Sequence, residues 1–140
     1  MNKLLSILLT FLLLGCAVPT KQWPNETRNH VWTAMVAAAK APDYSSSDPR
    51  KRWIVIENNV DVNPILSRIV IRRTLSRSLK LPRQQEQKDH RDWIFVIKLM
   101  SEQTPTVTFE VPETQLIPAQ TLDEADRYFI QVDDLLNPRH

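Results

Sequence analysis

Glycine is almost absent. The 140-residue chain has one, Gly15, and none beyond it. The Walker A loop, the dinucleotide-binding fingerprint and the G-x-S-x-G nucleophile elbow each need backbone that only glycine permits, so all three are excluded. Cysteine is equally scarce: a single residue, Cys16, leaves no intramolecular disulfide and no cysteine-based structural zinc site. A large excess of either charge is also missing. Eighteen Lys and Arg face sixteen Asp and Glu, a net +2 too balanced for a protein that coats nucleic acid. No H-x-x-x-H spacing joins any two of the histidines, His30, His90 and His140, so no local metal site is written into the chain. The apolar stretch at residues 4–14 would span about 16 Å as a helix, roughly half the hydrocarbon core of a bilayer, so it is too short to cross.

That stretch follows Met1-Asn2-Lys3, a short positive start, and fits the apolar region of a secretory signal. It ends in Leu13-Leu14-Gly15-Cys16, which resembles the lipobox of bacterial lipoprotein precursors. The resemblance implies that residues 1–15 are a signal peptide removed by cleavage. Cys16 would then carry a diacylglycerol on sulfur and an acyl chain on its new amine, the only prosthetic group expected. Several chains on one residue anchor stably where one does not. Ala17 stands where an aspartate would retain an enterobacterial lipoprotein in the inner membrane, so the periplasmic face of the outer membrane is the expected location. Residues 16–24 then form a short tether holding Pro19 and Pro24, with Trp23 as a candidate interfacial anchor at headgroup level.

Residues 25–140 suffice for one domain. Asn25 is positioned to cap a helix to about Lys40, whose stripe is Val31, Trp32, Met35, Val36 and Ala39. Two prolines and three serines make residues 41–49 a loop. Residues 53–60 read as a strand, closed by Asp61-Val62-Asn63-Pro64 as a turn. Residues 65–80 admit a helix opened by Asn63-Pro64, but the β-branched centre at Ile69-Val70-Ile71 favours a strand. The polar residues 81–92 predict a long exposed loop. A central strand follows over 93–100, with Trp93, Phe95, Ile97 and Leu99 on its core face, and a half-exposed strand over 106–111. Last comes a helix with Thr121 as cap and Glu124 completing a capping box, and an apolar face from Ala125 to Leu136. The expected fold is α+β: a two-layer sandwich of about four antiparallel strands in a meander, packed against an N-terminal and a C-terminal helix. In layout it is similar to the helix-grip domains of some envelope-assembly lipoproteins, and the mature domain resembles small bacterial envelope lipoproteins.

Charge is unevenly spread. Residues 50–98 hold twelve basic side chains against five acidic ones, whereas residues 101–134 hold eight acidic side chains and only Arg127. Arg68, Arg72, Arg73 and Arg77 are candidates for a guanidinium patch meeting anionic lipid, lipopolysaccharide phosphate or an acidic envelope protein. Strand alternation sets a competing expectation: Arg68 and Arg72 share one face, while Arg73 and Arg77 share the other and would need carboxylate partners. No nucleophile with a neighbouring base appears. Serines 45–47 sit in a loop, and the pairs Asp123–Glu124 and Asp133–Asp134 read as a helix cap and a solvated face. The chain therefore reads as a membrane-anchored, non-enzymatic binding or assembly module that contacts another envelope component. The alternatives are a carrier of lipid or a small apolar ligand and, behind it, a cell-envelope hydrolase built from scattered residues such as His30 and His90.

Overall fold

The computed structural model describes residues 18–100, 103–112 and 118–138. The lipobox, Cys16 and His140 lie outside them. Strand β1 (Thr20–Gln22) leads to helix α1 (Arg28–Lys40), strands β2 (Ile54–Asn63), β3 (Arg68–Leu79), β4 (Gln87–Met100) and β5 (Thr106–Glu110), and helix α2 (Pro118–Leu136). The fold is α+β, with one antiparallel sheet of five strands in the order β1-β5-β4-β3-β2. The meander from β2 to β5 is the expected one. The additional strand is β1, which pairs Thr20, Lys21 and Gln22 with Thr108, Val107 and Thr106.

This pairing corrects the expected domain boundary at residue 25 and the role of Trp23. Far from being an interfacial anchor, Trp23 is only 6% exposed and belongs to the main core. Its indole Nε1 donates to Asp133 Oδ1 at 2.6 Å and its ring meets Phe129 edge-on at 6.1 Å. Lys21 pairs with the same carboxylate, so Asp133 clips the N-terminal strand to α2 and does not lie idle in solvent. Proximity to the cysteine suggested a lipid contact for Trp23; burial of a large ring with its one donor satisfied is the stronger pull.

Helix α1 is capped by Thr27 and not by Asn25: the Thr27 hydroxyl accepts from the His30 amide. Its buried stripe is Val31, Ala34, Met35, Ala38 and Ala39, and the alanines permit close approach. Helix α2 begins three residues before the expected cap, so Thr121 lies within the first turn and Glu124 turns inward. Alternate residues of the sheet complete the core, with Ile71 opposite Phe95 and Ile97 opposite Phe109.

The second half of the polar stretch read as a long loop is strand. Residues from Gln87 onward pair with β3 up to Leu79, leaving a short turn. Polar cross-strand partners replace the missing apolar contacts: Arg77 faces and pairs with Asp89, and Thr74 Oγ1 donates to Asp92 at 2.7 Å. β2 likewise runs through the expected turn to Asn63, and the reversal falls on residues 64–67. Without glycine, Ser67 (φ 49°) and Arg83 (φ 63°) supply the left-handed positions of these two hairpins.

Trp23→Ala is expected to cost about 3–5 kcal/mol in chemical denaturation, the usual loss for a large buried ring. A change below about 1 kcal/mol would place the residue at the surface instead.

Candidate functional site

The face of β3 and β4 that builds the core does not stop where the core does. Beyond Ile71 and Phe95 the same face carries Arg73 opposite Trp93, Leu75 opposite Arg91, and Arg77 opposite Asp89. Period-two alternation keeps these residues on the helix-bearing side, yet their chemistry is cationic and aromatic. The loop after α1, the start of β2 and the first turns of α2 border this region. Together they enclose a cleft of about 580 Å³.

Its inner end is a buried ionic network. Arg73 is 2% exposed and Glu124 5%. Each nitrogen of the Arg73 guanidinium finds an acceptor: Nε donates to Asn58 Oδ1 at 2.8 Å, Nη1 to the Tyr44 hydroxyl at 3.0 Å, and Nη2 to the Ala39 carbonyl at 3.1 Å. The Tyr44 hydroxyl donates in turn to Glu124 Oε1 at 2.5 Å, and Arg73 Nη1 stands 3.8 Å from the same oxygen. Arg127 closes the set, bonding Glu124 and placing its guanidinium 3.9 Å from the centre of the Tyr44 ring. Removing two charges from water costs several kcal/mol per ion, which attraction at such a separation offsets only when the remaining donors and acceptors are satisfied. Here they are. Burial, seconded by the Glu124 charge, pushes the Tyr44 phenol well above its ordinary range. Burial does the same for Tyr128, whose hydroxyl donates to the Met35 carbonyl.

The outer end is a stack. Trp53 has the Arg77 and Arg91 guanidinium carbons 4.5 and 4.4 Å from its ring centre, and Arg91 is also 5.4 Å from Trp93. Arg77 is tied to Asp89 and to the Arg50 carbonyl. Arg91 packs against the rings, and among the described residues no acceptor meets its N–H groups, although the Asp89 and Glu124 charges act on it. Burial, and then the neighbouring Arg77 charge, hold its pKa below the arginine norm. At the rim, hydrogen bonds from Ser45 hold the Asp43 carboxyl below the usual carboxylate range.

The four arginines singled out by the sequence are therefore divided, which corrects the single-patch expectation. Arg68 and Arg72 are exposed on the opposite sheet face, Arg73 is buried, and Arg77 lines the cleft. The two on the helix side do have carboxylate partners, Glu124 and Asp89. The histidines are not brought together. His30 pairs with Glu26 on the first turn of α1, and His90 lies near Asp92 on the face away from the cleft. Among the described residues no three His, Cys, Asp or Glu side chains gather as a metal site. Tyr44, Trp53, Arg91 and Arg127 were missed, as was the inward role of Glu124. The available signal was the alternation Arg91-x-Trp93, which has meaning only once residues 87–92 are recognised as strand.

Two expectations follow. Arg73→Met alone should cost about 1–3 kcal/mol, because Asn58, Tyr44 and the Ala39 carbonyl lose a donor while Glu124 keeps Arg127. In a cycle with Glu124→Leu, denaturation should show a coupling of about 1–3 kcal/mol, and strictly additive losses would contradict the network. The tyrosines give the second. Their raised pKa values mean that the folded chain keeps protons the unfolded chain releases near about pH 10. Stability is therefore complete below that pH and falls as pH rises. In an alkaline titration, absorbance from tyrosinate should appear only together with unfolding.

Compared with known proteins, the chain matches no family model, no curated protein and no solved structure.

Proposed function

We propose that this protein is a bacterial envelope lipoprotein, anchored through lipid on Cys16, whose folded part is a non-enzymatic module that binds another envelope component through the arginine–tryptophan cleft. The cleft is the observation that carries this reading. Its 580 Å³ lies within the range of ligand sites, and its walls combine indole rings with the guanidinium groups packed over them, the chemistry enriched at recognition surfaces. The lipobox residues Leu13-Leu14-Gly15-Cys16 support the anchor. With β1 starting at Thr20, four residues of extended chain reach at most about 14 Å, so the β1 edge of the sheet would stay close to the bilayer. The helices and the core-bearing face of the sheet would form a two-layer sandwich, leaving Arg68 and Arg72 on the outer layer as a secondary surface for anionic lipid.

The carrier alternative fits less well. An apolar ligand in this cleft would strip water from five cations without replacing their hydrogen bonds. The hydrolase alternative needs its scattered residues in one place, and His30 and His90 lie apart from the cleft. The outer membrane remains the preferred location because of Ala17.

In intact cells, a photo-crosslinking residue at Ser45, on the cleft rim, should capture an envelope component, whereas the same residue at Thr33, on the exposed side of α1, should not. Wild-type protein should incorporate radiolabelled palmitate and fractionate with membranes; Cys16→Ser should do neither. Absence of adducts from Ser45 would remove the binding role, and an unchanged Cys16→Ser would remove the anchor.

A further inference from the structure

The unsatisfied group in the cleft narrows what can bind there. Arginine carries five N–H donors in one plane. Those of Arg91 have no protein acceptor among the described residues, although the side chain is partly buried and packed beside two indole rings. Stacking engages the face of a guanidinium and leaves its edge donors free, the arrangement suited to two-point recognition of an oxyanion. The neighbouring Arg77 adds a like charge on the same Trp53 ring. Arg77 is ion-paired with Asp89, whereas Arg91 makes no ion pair among the described residues and feels the Asp89 and Glu124 charges only from a distance, after that of Arg77. Repulsion between the two is a standing cost that an anion would relieve.

Charge counting sets the valence. Among the described residues Arg50, Lys51, Arg77, Arg91 and Arg127 line the cleft against Asp43, Asp123 and Glu124, and with Arg73 and Asp89, the partners of Glu124 and Arg77, the excess is two positive charges. A carboxylate would neutralise one of these; a phosphate monoester carries roughly −1.5 to −2 near neutral pH. The volume suits one headgroup-sized ligand and not a polymer. Trp53, Trp93 and Leu75 offer an apolar wall for the rest of that ligand.

We propose that the cleft is a receptor for a phosphate monoester, whose dianionic group lies against Arg91 and the Arg50–Lys51 rim while its ring or apolar body covers Trp53 and Trp93. This rests on the reading of the cleft as a binding site. It adds the ligand class, which can fail separately.

The test uses the full-length lipoprotein in phosphatidylcholine nanodiscs and follows intrinsic tryptophan fluorescence. Phenyl phosphate should bind saturably, about tenfold or more tighter than benzoate, which carries a comparable ring but one charge. Arg91→Gln should weaken it about tenfold or more, as expected for a lost hydrogen bond between charged groups. Arg50→Ala, at an exposed position that leaves the fold intact, should weaken it about threefold. Lys40→Ala, outside the cleft, should change nothing. Phosphatidic acid added to the nanodiscs separates the sources of the phosphate: competition with phenyl phosphate identifies a lipid headgroup, and its absence a soluble ester. Failure of both probes to bind, equal affinity for benzoate, or unchanged affinity in both Arg91→Gln and Arg50→Ala would overturn the proposal. Adducts from Ser45 in cells alongside such a failure would leave the binding module standing and remove only the phosphate.

Discussion

A single buried guanidinium constrains much of this molecule. Arg73 projects from the third strand into the space between sheet and helices, where an uncompensated charge would be intolerable. Its compensation comes from four places. The end of α1 offers the Ala39 carbonyl, the loop after α1 offers Tyr44, β2 offers Asn58, and α2 offers Glu124 with Arg127 behind it. Asn58 also bonds the Ala39 carbonyl, which closes the ring. No apolar contact could impose the same relation among these elements, since hydrophobic burial is indifferent to direction whereas hydrogen bonds are not. The network is better understood as fixing where α2 docks than as a large net gain in stability.

That placement is what makes a cleft. Beyond Arg73 the sheet continues for three more paired positions on the same face, but the helices do not follow it with apolar residues. Glu124 and Arg127 mark the point at which α2 turns polar, and the loop carrying Tyr44 covers the gap only in part. The core and the cleft are two stretches of one strand face, separated by a salt bridge. The stack at Trp53 then gives the polar half of the β3–β4 hairpin an anchor that its own composition lacks.

The opposite edge of the sheet shows a comparable economy. Asp133 accepts from both Lys21 and Trp23, so three residues near the N-terminus become a strand at the expense of a flexible tether. Hairpins that would ordinarily contain glycine use Ser67 and Arg83, with Asn63 Oδ1 bonding the Leu66 amide in the first of them.

Local rules carried much of the fold. The four meander strands and both helices were legible because alternation and the 3.6-residue period are properties of a few consecutive residues, and Val31, Met35, Phe95, Ile97 and Tyr128 all fall where those periods put them. The absence of glycine-dependent motifs was equally readable, since a short linear pattern needs no partner across the fold. What no local rule could decide was everything held by a distant group. Gln87 to Asp92 is too polar to pair on its own account and does so because β3 lies opposite; Trp23 is buried because Asp133 is there to receive its one donor; Glu124 serves Tyr44 and Arg73, residues 80 and 51 positions away, and not its own helix end. Hydrophobic periodicity is written within a segment, whereas the satisfaction of a buried charge is a relation between segments, and only the folded chain brings its terms together.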